Sequence, residues 1–353
     1  MITRRKSIGF NIGNVAIGAG APISVQSMCN TDTRNVQATL KQIHELAEAG
    51  CEIIRLAVLD MEAGEALKQI VEKSPIPVIA DIHFDYKLAI KAINSGVSAL
   101  RLNPGNIGKR ENVEKVVNLA KQQKTPIRIG VNAGSLERHL IENNEMTLAE
   151  KLVESAMGHI KILEDLDFNL IKVSLKSSDV LTTIDAYKLI SDKIPYPLHL
   201  GVTEAGTLKA GLVKSSVGLG ALLSQGIGDT IRVSLTEQPI EEVYAGFAIL
   251  KSLDLRKKGV NFISCPTCGR TQIDLISLAK RVEERFKNLD KPITIAVMGC
   301  AVNGPGEARG ADFGIAGGVG EGLVFKRGEI IAKVPENQLL DRLEIEINNE
   351  LNK

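Results

Sequence analysis

Short apolar runs recur along the first two thirds of the chain, and segments of helical period separate them. After a short polar lead-in, the first run is Ser24–Met28, and the amphipathic segment that follows it stops at Gly50, a residue typical of helix ends. Seven more runs continue the pattern at intervals of mostly about 22–33 residues: Ile53–Val58, Pro77–Ile82, Ala99–Asn103, Pro126–Asn132, Leu170–Leu175, Pro197–Val202 and Thr230–Leu235.

This alternation predicts the fold class α/β with a parallel sheet, and eight strand–helix units predict closure into a (β/α)8 TIM-type barrel. An open doubly wound sheet is the alternative. No Gly-x-Gly-x-x-Gly fingerprint follows the first strand, which disfavours it.

The composition becomes charged between Lys251 and Asn261, so we place a domain boundary between residues 253 and 254. A chain of 353 residues is more than one core usually holds, in agreement with two domains. The second should be a small α+β domain, residues 254–353. Its predicted elements are a helix from about Thr271 to Phe286, a strand at Ile293–Val297, strands at Leu323–Arg327 and Glu329–Val334, and a closing helix from Pro335.

Charge and apolar content exclude some partners. The chain has 43 Lys and Arg against 42 Asp and Glu, without the basic excess of a nucleic-acid or anionic-membrane surface. No apolar run reaches the roughly 18–20 residues of a membrane span, and no signal-like segment follows the N-terminus, so we expect a cytoplasmic protein. In a reducing compartment, five cysteines favour metal or catalytic use over disulfides. We expect Cys29 and Cys51 to be small buried hydrophobes.

Polar residues lie inside the strand-like runs or directly after them. In a barrel, the carboxyl ends of all strands meet at one rim, so these residues should lie close together there. Six of them are cationic, and two acids on the same rim, Asp81 and Glu204, cannot balance all six. So much buried positive charge favours a pocket for a polyanion such as a diphosphate, and an internal ion-pair lattice is the alternative. The six cations are Arg55, Arg101, Arg128, Lys172, Lys176 and Arg232.

The five histidines should differ in role. His83 lies where a rim residue should be and is a candidate for substrate contact. His199 falls inside a strand run, where a hydrogen-bonded core position is expected. We expect His44, His139 and His159, on helical or loop stretches, to lie on the surface.

Three cysteines and a glutamate lie on Gly- and Pro-rich stretches of the second domain. The first stretch is Cys265-Pro-Thr-Cys268, and the second, about thirty residues further along the chain, is Met298-Gly-Cys300-Ala-Val-Asn-Gly-Pro-Gly-Glu307. Thiolates in this spacing suit zinc or an iron–sulfur cluster. One reading is therefore a barrel that binds a phosphorylated metabolite and carries a zinc-stapled accessory domain. Another is a phosphosugar lyase whose cluster is only structural.

The stretches Ser264–Arg270 and Val297–Ala308 closely resemble the bacterial (E)-4-hydroxy-3-methylbut-2-enyl diphosphate synthases of the non-mevalonate isoprenoid pathway. Leu100–Asn106, Arg128–Leu136 and His199–Ala205 are similar to the same family. The resemblance covers essentially the whole chain, in the compact two-domain bacterial form.

The resemblance implies a [4Fe–4S] cluster, with Cys265, Cys268 and Cys300 as thiolate ligands and Glu307 as the fourth iron ligand. It also implies that the barrel binds a cyclic diphosphate. The expected substrate-binding residues, from the resemblance or from their place on the rim, are Arg55, Asp81, His83, Arg101, Asn103, Arg128, Asn132, Lys172, Thr203, Glu204, Arg232 and Ser234.

The implied reaction opens 2-C-methyl-D-erythritol 2,4-cyclodiphosphate reductively and loses one hydroxyl as water. Electrons would come one at a time from flavodoxin or ferredoxin. A carboxylate ligand exchanges more readily than a thiolate, so we hypothesise that a substrate oxygen displaces Glu307, which then serves proton transfer. Glu204 is the second catalytic candidate.

A head-to-tail homodimer is also expected. The last helix of a (β/α)8 barrel ends at the face opposite the active rim, and a linker of about ten residues spans at most about 35 Å. Bending back over the same barrel would be strained. A cluster domain that caps the partner's barrel removes this strain and agrees with the family.

Overall fold

The computed structural model describes residues 2–287, 289–301 and 304–352. The chain divides into two compact units, Met1–Arg256 and Lys257–Lys353. This division falls inside the charged stretch between Lys251 and Asn261, three residues beyond the boundary expected from the sequence.

The first unit begins with a hairpin that the sequence pattern did not reveal. Strands β1 (Phe10–Ile12) and β2 (Val15–Ile17) pair antiparallel. Their buried residues Ile12 and Ile17 form one apolar cluster with Ile53, Ile79 and Ala99, which start or nearly start three barrel strands. The hairpin therefore closes the amino-terminal end of the barrel. The expected polar lead-in was wrong because strands of only three residues are too short to show a strand pattern in the sequence.

Eight parallel strands form the barrel, as predicted. Their order around the sheet is β8-β7-β6-β5-β4-β3-β10-β9, and a parallel bridge between Val173 and Leu198 joins β8 to β9 and completes the ring. The strands are β3 (Ser24–Met28), β4 (Ile53–Ala57), β5 (Val78–Asp81), β6 (Ala99–Arg101), β7 (Ile127–Asn132), β8 (Ile171–Lys176), β9 (His199–Leu200) and β10 (Thr230–Ile231).

Helices surround the strands and bury their apolar faces against them. Side-chain oxygens of Asn35, Asp60, Asp85 and Asp179 cap four of these helices by accepting backbone N–H groups, which fixes where the rim loops end. None of the described helices is both long and apolar enough to cross a membrane. The helices of this unit are α1 (Val36–Glu48), α2 (Met61–Lys73), α3 (Tyr86–Asn94), α4 (Arg110–Gln123), α5 (Arg138–Glu142), α6 (Leu148–Glu164), α7 (Val180–Ser191), α8 (Leu208–Leu223) and α9 (Pro239–Ser252).

The second unit is a five-stranded mixed sheet in the order β11-β12-β13-β14-β15. The first three strands are parallel and the last two antiparallel. Two amphipathic helices, α10 and α12, cover the sheet through residues such as Val282, Phe286, Leu343 and Ile347. The elements are β11 (Asn261–Ser264), α10 (Leu275–Phe286), β12 (Thr294–Met298), α11 (Gly304–Glu307), β13 (Phe313–Ala316), β14 (Glu321–Lys326), β15 (Glu329–Pro335) and α12 (Leu339–Leu351).

Two details of this unit differ from expectation. Helix α10 begins at Leu275 rather than near Thr271, because the Asp274 side chain accepts the Ser277 N–H and caps it there. The glycine-rich stretch also contains β13, which the sequence pattern concealed. Gly314 in that strand lies so close to Phe325 that a Cβ would sit 2.2 Å from the ring.

Candidate active site

Strand register brings three predicted cations together inside the barrel. Arg101 on β6 pairs with Arg128 on β7, which pairs with Lys172 on β8. Parallel register partners point to the same side of a sheet, so the three side chains enter the barrel next to one another. Arg128 and Lys172 are almost completely buried, with 2% and 1% of their surface exposed.

Asp81 at the end of β5 binds two of the cations. Arg101 Nη1 donates to Asp81 Oδ1 at 3.2 Å, and Arg55 Nε lies 3.5 Å from Oδ2. Burial alone would raise the pKa of Asp81, but the charge of Arg55, the His83 imidazole and the charge of Arg101 together hold it well below its usual range. Burial lowers the pKa of Arg55 to about 10. Asp81 is thus an ionised carboxylate that orients guanidinium groups.

A second buried carboxylate, Glu242, was missed by sequence reasoning. It is 3% exposed in the first turn of α9, and Arg232 Nη2 donates to its Oε1 at 3.2 Å. Glu242 also accepts from the Ser27 hydroxyl and the Leu235 N–H. One signal was available, because Glu242 shares the apolar spacing of Gly246 and Leu250 and therefore falls on the buried face of its helix.

Glu204 does not take part in this charge balance: of the two acids expected at the rim, Asp81 alone pairs with barrel cations among the described residues. Its side chain is exposed just beyond β9, and no ion pair to a barrel cation is found for it in the described part of the chain. Its φ of +51° is in the left-handed region, which is unusual for a residue with a side chain. The carboxylate is thus accessible to solvent just beyond the strand end.

Three of the six cations keep no carboxylate partner among the described residues: Arg128, Lys172 and Lys176. Arg128 Nε and Nη1 and Lys172 Nζ are buried without a hydrogen-bond acceptor there. Burial, followed by the positive charge of neighbouring arginines, lowers the pKa of each of the three well below its usual value. The barrel therefore contains part of an ion-pair lattice and, beside it, unneutralised positive charge suited to an anion.

The predicted polar residues lie at the carboxyl ends of the strands. Asn103 is buried, and its amide bonds both polar groups of Gly130: Gly130 N–H donates to Oδ1 at 2.8 Å and Nδ2 donates to the carbonyl at 3.1 Å. Asn132, Thr203 and Ser234 are half-buried. His83 is largely exposed, with Nε2 3.7 Å from Asp81 Oδ1.

The other histidines divide differently from expectation. His199 is fully buried with Nδ1 2.6 Å from the Thr230 hydroxyl, as predicted for a core residue. His44 and His139 are exposed. The prediction for His159 was wrong: it is 5% exposed and contacts Gly105 and Glu137, because its position in α6 lies on the same face as Ala156 and Leu163.

Two cysteines of the barrel are buried, as predicted. Cys29 and Cys51 have exposures of 7% and 3%, and burial raises the pKa of each thiol to about 12. They are chemically quiet small hydrophobes.

The other three cysteines and Glu307 lie in the second unit. Cys265 and Cys300 follow β11 and β12, which pair in parallel with Ser264 opposite Val297. Gly299 N–H donates to Cys265 Sγ at 3.1 Å, so this sulfur lies against the residue next to Cys300. Cys268 is exposed, and a backbone hydrogen bond from Arg270 lowers the pKa of its thiol. Glu307 ends α11 with an exposed side chain.

Cys265 and Cys300 follow the carboxyl ends of adjacent strands, but the four donors do not form a closed metal site among the described residues. Within residues 2–287, 289–301 and 304–352, no group of three or more His, Cys, Asp or Glu side chains is close enough to hold an ion. Val302 and Asn303 of the motif lie outside the described residues. In chemistry the set fits a thiolate-bound centre: three partly or fully accessible sulfurs, a backbone N–H aimed at one of them, and one accessible carboxylate.

Comparison with known families matches nearly the whole chain. The family described as "GcpE TIM-barrel domain" matches residues 7–247, and the "GcpE protein C-terminal domain" matches residues 261–349. Curated relatives named "4-hydroxy-3-methylbut-2-en-1-yl diphosphate synthase (flavodoxin)" are similar throughout. The protein of Dehalococcoides mccartyi (strain CBDB1) is 62% identical over 98% of this chain and 99% of its own. The Geobacter sulfurreducens protein is 60% identical over 98% of each.

Solved structures resemble the barrel in fold. A dihydropteroate synthase from Stenotrophomonas maltophilia superposes with a TM-score of 0.54 at 12% identity, covering 70% of this chain and 97% of its own. The enzyme from Coxiella burnetii gives a TM-score of 0.51 at 9% identity, covering 71% of this chain and 100% of its own. At such low identity the likeness concerns the fold alone.

Proposed function

The chain belongs to the GcpE family, and on that premise we propose that it is a 4-hydroxy-3-methylbut-2-en-1-yl diphosphate synthase, an oxidoreductase of isoprenoid biosynthesis. The proposed substrate is 2-C-methyl-D-erythritol 2,4-cyclodiphosphate. The net reaction takes up two electrons and a proton, breaks the ring C–O bond to one phosphate and releases one hydroxyl as water. The diphosphate stays attached to the product at its other end.

The observation that carries this proposal is the burial of Arg128, Lys172 and Lys176 inside the barrel without an ion pair to any carboxylate of the described residues; Arg128 and Lys172 also have side-chain nitrogens without a hydrogen-bond acceptor there. Burying unpaired cations is costly, so this arrangement suits a protein that binds a polyanion there. A guanidinium offers a planar fork to phosphate oxygens, whereas an ammonium acts as a point charge. Asp81 and Glu242 hold Arg55, Arg101 and Arg232 in place around them. The two carboxylates would thus orient the cations rather than contact the diphosphate.

Hydrogen-bonding groups at the rim would position the carbon skeleton. These groups lie at the end of β7 or just beyond the ends of β6, β9 and β10: Asn132, and Asn103, Thr203 and Ser234. We assign Glu204 to proton delivery, since its carboxylate is accessible at the rim and makes no ion pair with the barrel cations among the described residues. A proton at the departing hydroxyl turns a poor leaving group into water.

The cofactor we propose is a [4Fe–4S] cluster held by Cys265, Cys268, Cys300 and Glu307, and when bound it supplies the two electrons one at a time. Its thiol ligands lie on the carboxyl-terminal side of adjacent parallel strands, and the Gly299 N–H directed at Cys265 Sγ is suited to stabilising a thiolate. Glu307, as the single oxygen donor, is our candidate for proton transfer at this end. In this division residues 1–253 bind the substrate and residues 254–353 hold the cluster.

We propose flavodoxin as the electron donor, as in the names of the curated relatives, with ferredoxin as the alternative. All five cysteines are free, in keeping with a reducing compartment, and we therefore place the reaction in the cytoplasm.

We also propose a head-to-tail homodimer in which each cluster domain serves the partner's barrel. Helix α8 supports association with a second copy. Leu208, Leu212, Val213 and Val217 on this helix are exposed, and Val213 and Val217 are 62% and 54% accessible. Apolar side chains concentrated on one surface helix are typical of a face that is covered in an assembly.

Anaerobic purification followed by iron, sulfide and zinc determination, together with turnover of the cyclodiphosphate by a reduced viologen dye, tests the proposed function. We expect about four iron and four sulfide per chain and formation of the linear diphosphate. Colourless protein with one zinc per chain and no turnover would reject it. Removal of residues 257–353 distinguishes a barrel-only lyase, because such an enzyme would remain active after the truncation.

A further inference from the structure

The buried imidazole of His159 connects two rim loops of the barrel. Gly105 N–H donates to His159 Nδ1 at 3.2 Å, and His159 Nε2 lies 3.5 Å from Glu137 Oε1. Gly105 belongs to a short helical turn, Pro104–Asn106, directly after β6. Glu137 precedes α5 in the segment after β7. One side chain on the outer helix α6 thus reaches both loops.

The two contacts define the state of the ring. Because Nδ1 accepts a hydrogen bond, the ring proton must be on Nε2, where it faces the Glu137 carboxylate. Burial lowers the pKa of His159, against the smaller raising effect of Glu137, which keeps the neutral ring dominant near pH 7. Glu137 Oε2 is buried without a hydrogen-bond partner in the described chain, so the imidazole is the polar contact found for this carboxylate.

Close packing shows that the Gly105 contact is specific. A Cβ on Gly105 would lie 2.9 Å from His159 Cε1 and 3.2 Å from Nδ1, so the loop can approach the ring only with glycine at this position. Two residues before Gly105, Asn103 is fixed to Gly130 by a pair of hydrogen bonds. Five residues before Glu137, Asn132 ends β7. Both asparagines belong to the proposed substrate site.

We propose that His159 is a positioning residue of the active site: by accepting from Gly105 at Nδ1 and facing the Glu137 carboxylate with Nε2, it holds the loops after β6 and β7 so that Asn103 and Asn132 keep the geometry that binds the substrate. The inference rests on the proposed function for its kinetic consequence, but the loop connection itself does not depend on it.

Three substitutions separate the two contacts. In His159→Asn the amide oxygen can occupy the place of Nδ1 and still accept from Gly105, but it cannot reach Glu137. In His159→Gln the amide nitrogen can occupy the place of Nε2 and face Glu137, but the acceptor for Gly105 is lost. His159→Leu removes both contacts at similar volume. The exposed neighbour His139→Leu is the matched control.

Hydrogen exchange on the iron-loaded enzyme is the first measurement. His159→Leu should raise exchange at least tenfold at residues 103–107 and 133–140, and His159→Asn should restore protection at 103–107 only. Unchanged protection in both loops of His159→Leu, or a uniform rise over the whole barrel, would overturn the proposal.

Turnover of the cyclodiphosphate by the same proteins is the second measurement. We expect His159→Leu to raise KM about tenfold and to change kcat less than threefold, and His159→Asn to recover most of the loss. If hydrogen exchange in both loops of His159→Leu rises while its KM stays unchanged, the positioning role is contradicted. If the wild-type enzyme shows no turnover, the proposed function is rejected instead. The Kd for inorganic pyrophosphate, measured by calorimetry, then takes the place of KM: we expect it to rise about tenfold in His159→Leu, and an unchanged Kd with opened loops contradicts the positioning role.

Discussion

Arg101 and Gly130 face each other across neighbouring strands of the barrel, at a distance that no larger residue than glycine permits. Arg101 Nη2 donates to the Gly130 carbonyl at 2.7 Å, and a Cβ on Gly130 would lie 2.5 Å from Arg101 Nε. The guanidinium therefore lies over bare backbone while its Nη1 binds Asp81. Its orientation depends on a missing side chain on the next strand.

Gly130→Ala should displace Arg101 and disturb the Asn103 hydrogen bonds to the same residue. We expect KM for the cyclodiphosphate to rise at least tenfold, with less than about 2 kcal/mol lost from the free energy of unfolding, because the guanidinium is flexible enough to move. Steady-state kinetics and denaturant unfolding measure the two effects. Gly158→Ala, at an exposed helix position with open space around it, is the control and should leave KM unchanged. Equal KM in both variants contradicts the prediction.

Lys172→Met should stabilise the substrate-free enzyme while weakening anion binding. Lys172 Nζ is buried without an acceptor in the described chain, so methionine removes an uncompensated polar group at similar volume. We expect the free energy of unfolding to increase by about 1–2 kcal/mol and the Kd for inorganic pyrophosphate to rise at least fivefold. Denaturant unfolding and calorimetry test this, with the exposed Lys188→Met as control. A less stable variant that binds pyrophosphate normally would show that a group of the protein itself, and not a bound anion, neutralises Lys172.

Glu242→Gln should destabilise the fold and weaken the substrate site. Glu242 accepts from Ser27, Arg232 and Leu235, and its loss leaves the Arg232 charge uncompensated in a largely buried position. We expect a loss of about 3 kcal/mol in the free energy of unfolding. The neighbouring Glu241→Gln should cost less than about 0.5 kcal/mol. If the two substitutions cost the same, the proposed charge balance is wrong.

Acid should destabilise the protein through His159. The pKa of this imidazole is lowered in the folded state, so the folded protein resists a proton that the unfolded chain accepts near pH 6.5. The stability is fully present above that pH and declines as the pH falls through the folded-state value. We therefore expect the difference in unfolding free energy between wild type and His159→Asn to shrink between pH 7 and pH 5. A pH-independent difference would falsify this assignment.

Glu307→Ala should separate cluster assembly from turnover. The three cysteines remain, so we expect iron and sulfide to be bound at or above half the wild-type content, while activity falls at least a hundredfold because the exchangeable oxygen donor is lost. Anaerobic metal analysis and turnover by a reduced viologen dye are the measurements. Glu329→Ala, an exposed residue of β15, is the control. Near-normal turnover in Glu307→Ala rejects a catalytic role for this carboxylate.

The barrel and the cysteine motif could be predicted from the sequence because each depends on the order of residues within short stretches of the chain. Eight apolar runs separated by helical segments can close in few ways, and cysteine spacing does not depend on distant residues. The errors at Glu242 and His159 have a different origin. Glu242 was overlooked and His159 was expected on the surface because of its residue type, whereas the burial of each follows from the face of a helix that meets the barrel.

The sequence by itself determined the barrel and the separate small unit, since periodicity and motif spacing are properties of the linear chain. It also predicted which residues carry the chemistry, and that assignment stays a prediction. Only the tertiary structure decided which charges neutralise one another. Arg232 pairs with Glu242, Arg55 and Arg101 share Asp81, and Arg128 and Lys172 remain without a carboxylate in the described chain. The strength of an ion pair depends on the distance between the charges and on their burial. Both quantities depend on strand register, on the rotation of a helix about its axis and, at Gly130, on the absence of a Cβ.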